Sequence, residues 1–220
     1  MEQQNKLKDS MLGFFHDLFD LMALNLLWLL CSLPVITIGP ATCGLFSATL
    51  KLVRHEAVSP VKDFFRGMKD NLRSGFLLGL AAIVLLIVAA GDAYFALLQT
   101  GELRSLYLVI AVIIGVVWLI FISYTFALQA MFDSPLKTQI LNAFKLAVIA
   151  PGKTIGLWLI LLVPVIVPLV LPLVALKMLG FLYLVVGFSG PVYGASHILR
   201  GIFDRVSGGT QDTAEHNELD

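Results

Sequence analysis

Residues 75–98, 106–132, 155–176 and 181–199 form long apolar stretches with almost no charge, and residues 18–50 look much the same. A hydrocarbon core takes about 20 apolar residues per spanning helix. The pattern therefore predicts an integral membrane protein, folded as an all-α polytopic bundle of about six helices. A hydrophobic content of 58% and a mean hydropathy of +0.89 lie far from soluble-domain values. One helical domain over residues 1–205 and a disordered tail over 206–220 account for the chain. The formal net charge is zero, so composition makes no case for a nucleic-acid partner.

The charges are placed unevenly. All Lys and Arg except Arg104 and Lys177 fall at Lys6 and Lys8, in the run from Lys51 to Arg73, at Lys137, Lys145 and Lys153, or at Arg200 and Arg205. Positive residues stay on the cytoplasmic side. Residues 51–73 and 133–153 are thus expected inside, with both termini. The stretch 18–50 is too long for one span and is interrupted by Pro34 and by Gly39-Pro40. It reads as helix one over 10–33 and helix two over 40–55. The apolar part of helix two is only about 15 Å long, so that helix either re-enters or is completed by residues 35–38 at membrane depth. No cleavable signal peptide is expected, because Asp9, Asp17 and Asp20 interrupt its place. Cys31 and Cys43 read as packed thiols rather than a disulfide.

Two inner segments resemble each other, Ser59-Pro60-Val61-Lys62 and Ser134-Pro135-Leu136-Lys137. In each, Ser can cap a helix and Pro can take its first position. Val61, Phe64, Phe65 and Met68 then share one face, as do Leu136, Ile140, Leu141 and Phe144. Each predicts an amphipathic helix on the inner interface, with Lys62, Arg66, Lys69 and Lys137 turned to lipid headgroups or to a partner. A structural collar and a docking surface are both compatible with this pattern.

Gly39-Pro40 and Gly190-Pro191 place helix breaks in apolar sequence. Such a break can aim a half-helix N-terminus at a substrate, or simply permit close helix contact. Pro164, Pro168 and Pro172 predict a bent stretch within 157–176. Polar groups at depth need partners. Asn25 and Asp92 are the candidates for a buried role; His16, Asp17, Asp20, Gln129, Asp133, His197, Arg200 and Asp204 lie toward the inner ends of their helices.

Gly187-Phe188-Ser189-Gly190 matches the G-x-S-G of rhomboid intramembrane proteases, in which a histidine from another helix activates the serine. Here the nearest intramembrane histidine, His197, lies along the same helix, roughly 12 Å away by helical rise. A serine without a base in reach is not activated. Metal-ligand spacings and phosphate-binding loops are absent from the sequence. No enzymatic activity, cofactor or metal is expected.

The run from Trp28 through Pro34, Gly39-Pro40 and Thr42, followed by Thr49-Leu50-Lys51-Leu52-Val53-Arg54 and Asp63-Phe64-Phe65, resembles the N-terminal signature of the YesL-like bacterial membrane proteins, over residues 28–65. The resemblance implies a bacterial cytoplasmic membrane location and an association with carbohydrate-uptake ABC transporters. It carries no catalytic or ligand residues. The expected role is a non-enzymatic accessory to such a transporter, with permease subunits and membrane lipids as partners. The alternative is a small stand-alone transporter or channel built around the Gly-Pro breaks. Substrate and oligomeric state are not legible.

Overall fold

The computed structural model describes residues 2–56, 59–132, 134–170 and 173–217, with side chains at 13, 15–56, 59–132, 134–168, 170 and 180–204. Asp133 and Pro172, and the side chains of Lys6, Lys8, Lys177 and Arg205, lie outside these. The helices are α1 (Glu2–Ser32), a 3-10 turn (Val35–Thr37), α2 (Ile38–Val53), α3 (Pro60–Asp70), α4 (Leu72–Leu98) and α5 (Gly101–Met131), then α6 (Leu136–Ile149), α7 (Pro151–Leu161), α8 (Val163–Val170), α9 (Leu173–Val186) and α10 (Ser189–Asn217). Among the described residues there is no strand. The protein is an all-α polytopic bundle.

Phe15–Ser32, Val35–Val53, Leu72–Leu98, Gly101–Met131 and Pro151–Pro168 are each long and apolar enough to cross a membrane. Gly180–Val186 and Ser189–Asp204 together make a sixth such stretch, bent by 47°. In water this much exposed apolar surface would cost far more than any domain's stability. Lipid covers it, and the chain is a membrane protein.

α2 is the axis of the bundle. It packs against α1, α3, α4, α5 and α10 and is buried along most of its length. At 16 residues it is about 24 Å long, and the 3-10 turn lengthens it to Val35–Val53. Close packing is what makes a buried helix hold in lipid, where apolar contact between helices gains little over contact with acyl chains. Three glycines make the closest crossing. A Cβ at Gly39 would fall on the Gly75 carbonyl, one at Gly75 would meet Pro40 Cα at 2.8 Å, and one at Gly79 would meet Gly39 Cα at 3.0 Å. The inner end of α2 receives α3 in the same way, with a Gly67 Cβ 2.5 Å from Ser47 Cβ.

Several expected boundaries move. Helix one begins at Glu2 and ends at Ser32 rather than covering 10–33, and helix two begins at Ile38 rather than Pro40, so Pro40 is the third residue of α2. Pro tolerates that position because first-turn N–H groups have no intrahelical acceptor. Pro60 does open α3, but the Ser59 side chain does not cap it; instead the Ser59 N–H donates to Asp63 Oδ2 at 3.0 Å. Pro135 occupies the cap of α6, and Ser134 lies outside. The buried face of α6 is Gln139, Ala143, Leu146 and Ala147; of the expected apolar face, Leu136 and Ile140 pack partly buried beside it, Phe144 is half-buried and Leu141 is exposed. The stretch 155–176 breaks at Leu162, between α7 and α8, with Pro168 inside α8. The backbone of α10 runs helically to Asn217, through the expected boundary between bundle and tail.

The halves of α4 and α5 next to the turn that joins them project as a hairpin. Ile87, Tyr94, Leu97, Leu106 and Val112 are all exposed there. Phe95 lies against Tyr107, with ring centroids 6.2 Å apart. Aromatic rings at this end of a hairpin suit a membrane–water interface.

Candidate functional site

The break between α9 and α10 carries the densest polar geometry inside the bundle. α9 stops because the chain folds back on Gly187, where a Cβ would lie 2.5 Å from the Tyr183 carbonyl. α10 then opens with Ser189-Gly190-Pro191, so Gly190 and Pro191 occupy its second and third positions and the break itself lies at 187–188. Ending one helix and starting another leaves carbonyls and N–H groups without intrahelical partners. Asn25 of α1, fully buried, answers both sets. Its Nδ2 donates to the carbonyls of Tyr183 at 3.1 Å and Leu184 at 2.7 Å, while its Oδ1 accepts the N–H groups of Phe188 at 2.9 Å and Ser189 at 3.0 Å. An amide has two donors and one acceptor oxygen, and few side chains match two kinds of helix end at once.

Trp28, one turn along α1, links this break to the other. Its ring packs on Phe188 at a centroid distance of 4.4 Å, and its indole N–H donates to Thr42 Oγ1 at 3.2 Å. Thr42 donates in turn to the Ile38 carbonyl at 2.7 Å, and Thr37 Oγ1 bonds the carbonyls of Cys31 and Pro34 across the gap after α1. The exposed turn at Pro34 joins α1 to α2. Tyr183 serves a third interruption. Pro168 has no N–H to give the Pro164 carbonyl, and the Tyr183 hydroxyl donates to that carbonyl at 3.0 Å. All three interruptions are thus bonded from within the chain.

Deeper polar groups also pair across helices. Thr49 Oγ1 lies 3.0 Å from Ser196 Oγ, Tyr124 Oη lies 2.7 Å from Thr154 Oγ1, and Gln129 Nε2 donates to Asn71 Oδ1 at 3.0 Å. Asp92 departs from the expected buried role. It is only partly covered, because it lies on the projecting part of α4. Ser189 Oγ is buried without a hydrogen-bond partner among the described residues, while His197 is exposed and packs edge-on against Tyr193 at 4.9 Å. The fold does not bring serine and histidine together. Among the described residues no group of three metal-ligating side chains forms.

At the end of the bundle beside α3, charges tie the helix ends together. Lys51 Nζ lies 2.5 Å from Asp63 Oδ1, clamping α3 to α2. Burial alone would raise the Asp63 pKa, but the hydrogen bonds from Lys51 and the Ser59 N–H, with the Lys51 and Arg66 charges, outweigh it and hold the carboxyl below its ordinary value. Arg200 donates to the Val53 carbonyl at 2.7 Å, at the C-terminus of α2, where the helix dipole favours a cation. Arg54 lies 3.8 Å from Asp204, and Lys153 donates to the Gly201 carbonyl at 2.9 Å. Asp63, Tyr183 and Trp28 were not singled out by sequence as polar partners. A lone indole or phenol in apolar sequence signals only that its polar tip needs an acceptor.

The free face of α3 combines two chemistries. Phe64 and Gly67 turn inward, leaving Val61 and Phe65 nearly half-exposed beside Lys62, Arg66 and Lys69. At about 100° per residue the apolar pair and the basic triad form adjacent stripes. Lys137 is likewise exposed, at the start of α6.

Residues 21–93 match the family described as a protein of unknown function, DUF624. The matched segment runs from the middle of α1 into α4 and includes the glycine crossing and all of α3. Neither a search of curated proteins nor one of solved structures finds a match.

Proposed function

We propose that this is a YesL-like, non-enzymatic accessory protein of the bacterial cytoplasmic membrane, crossing it several times with both termini inside and serving carbohydrate uptake by an ABC transporter. The observation that carries the reading is the self-bonded state of the helix breaks. A transporter that uses half-helix ends keeps them free for substrate; here Asn25 occupies the backbone groups at the α9–α10 break. The matched family segment contains the region of the YesL-like resemblance, which supplies the carbohydrate-uptake context. The free face of α3 is the surface offered to a permease subunit, with Lys62, Arg66 and Lys69 as its charged contacts.

Affinity purification from native membranes in mild detergent, followed by mass spectrometry, tests the assignment. A sugar-transporter permease should co-purify, and the triple change Lys62→Glu, Arg66→Glu and Lys69→Glu should weaken it. Deletion of the protein should slow growth on particular complex sugars only where the cognate transporter is present. Sugar flux into proteoliposomes containing this protein alone would replace this reading with that of a stand-alone transporter.

A further inference from the structure

A groove of about 380 Å³ opens where the end of α3 and the start of α4 approach the start of α6. It is lined by Asp70 at the end of α3, Arg73, Ser74 and Leu77 in the first turns of α4, and Leu136 at the start of α6. The groove is shallow and open along one side, with Asp70, Arg73 and Leu77 exposed. The lining is sorted by depth: Arg73 and Ser74 precede Leu77 by about one helical turn, or roughly 5–6 Å along α4. A cation, a carboxylate and a hydroxyl therefore stand at the rim, above an apolar wall. This is the spacing between the headgroup and the first acyl carbons at a bilayer interface. Among the described residues Arg73 makes no ion pair, and Asp70 meets only Arg66, loosely, at 3.8 Å with both side chains well exposed.

We infer that this groove is a binding site for one phospholipid with a primary-amine headgroup. Its phosphate faces Arg73 and Ser74, its ammonium faces Asp70, and its upper acyl chain lies along Leu77 and Leu136. Arg suits a phosphate because its guanidinium offers several N–H donors in a plane. Asp70 sets the selectivity. An anionic headgroup without an amine would meet its carboxylate unpaired, and a quaternary ammonium could not donate to it. The site adjoins the docking face on α3, since Asp70 pairs with Arg66, but it would stand if the proposed transporter partner did not.

Native mass spectrometry of the full-length protein in mild detergent, depleted of lipid, tests this. The titrants are phosphatidylethanolamine, phosphatidylglycerol and phosphatidylcholine with identical chains, and inorganic phosphate. One phosphatidylethanolamine should be retained about tenfold more tightly than the other two lipids, the size expected of a charge-assisted hydrogen bond. Arg73→Ala should weaken binding of all three lipids; Ser74→Ala should weaken it less. Asp70→Asn should bring phosphatidylethanolamine down to the level of phosphatidylcholine while the protein's thermal unfolding stays unchanged. Equal retention of all three lipids, unaffected by Arg73→Ala, would reduce the groove to ordinary annular contact. Inorganic phosphate binding as tightly as lipid would assign it to a free anion and overturn the lipid site.

Discussion

Asn25 and Gly75 show how much a single side chain can hold in this bundle. Replacing Asn25 with Leu removes one amide and strands three backbone groups, at Leu184, Phe188 and Ser189, while the Tyr183 carbonyl keeps the Gly187 N–H. Stranded buried groups cost about 1–3 kcal/mol each, but intramembrane hydrogen bonds average only about 0.6 kcal/mol because alternatives form within lipid. Asn25→Leu is therefore expected to lose about 2–4 kcal/mol, read as a lowered Tm in detergent. Asp92→Asn, on a partly covered position, should stay within about 0.5 kcal/mol. The glycines separate in the same assay. Gly75→Ala pushes a methyl against Pro40 and should destabilise by about 1–3 kcal/mol. Gly91→Ala meets nothing within 4 Å and should be neutral or stabilising, since Ala favours helix by up to about 1 kcal/mol. A Tm for Gly75→Ala at or above that of Gly91→Ala would refute the close crossing.

At the scale of elements, α3 is held by its clamp as well as by its packing. The hydrogen bonds and charges around Asp63 hold its carboxyl below the ordinary carboxylate value in the folded protein. Its contribution is thus fully present above the unfolded carboxylate pKa and is lost as pH falls through the lowered folded value. Asp63→Asn removes it at every pH. With Lys51 about a third exposed, the loss should be about 1 kcal/mol. Hydrogen exchange over residues 60–70 should accelerate in Asp63→Asn at neutral pH, and in the unaltered protein only in acid. The two proline breaks differ likewise. Pro40→Leu inserts a branched chain where α2 touches α4 and should cost about 1–3 kcal/mol. Pro168→Leu restores a backbone donor within α8 and should cost less. Equal thermal stability of the two variants would make the α2 start incidental.

For the molecule as a whole, the inner rim and the outer hairpin should face opposite sides of the membrane. Ser59 and Ser134 adjoin the interfacial helices, whereas Gly101 lies at the turn between α4 and α5. A membrane-impermeant thiol reagent applied to intact cells should label Gly101→Cys above the level of the parent, and should leave Ser59→Cys and Ser134→Cys unlabelled until the cells are opened. Labelling of the two serine positions in intact cells would reverse the orientation. The projecting hairpin predicts further that substitutions at exposed apolar positions such as Ile87→Leu or Val112→Leu leave Tm unchanged in detergent, because they exchange one lipid-facing hydrocarbon for another.

Hydropathy and charge alone determine that this chain lives in a membrane, that about six stretches are apolar enough to span it, and that basic residues crowd the segments around α3 and α6. Pro60 marks the start of α3, and Asn25 stands out as a polar group in apolar sequence. Which face of α6 turns inward, why Asp92 is left partly open, and where α9 actually stops were decided by neighbours. The inward face of α6 centres on Gln139, Ala143, Leu146 and Ala147, with Leu136 and Ile140 at its edge and Leu141 left exposed. The α9–α10 break falls at 187–188 because Gly187 is pressed against Tyr183, although Gly190-Pro191 is the louder signal in the sequence. The reason is physical. Lipid and protein interior are equally apolar, so an apolar sequence specifies the solvent of a helix without specifying its partner. Partner choice rests on close backbone approach and on matching hydrogen-bond ends, and both exist only once the helices are assembled.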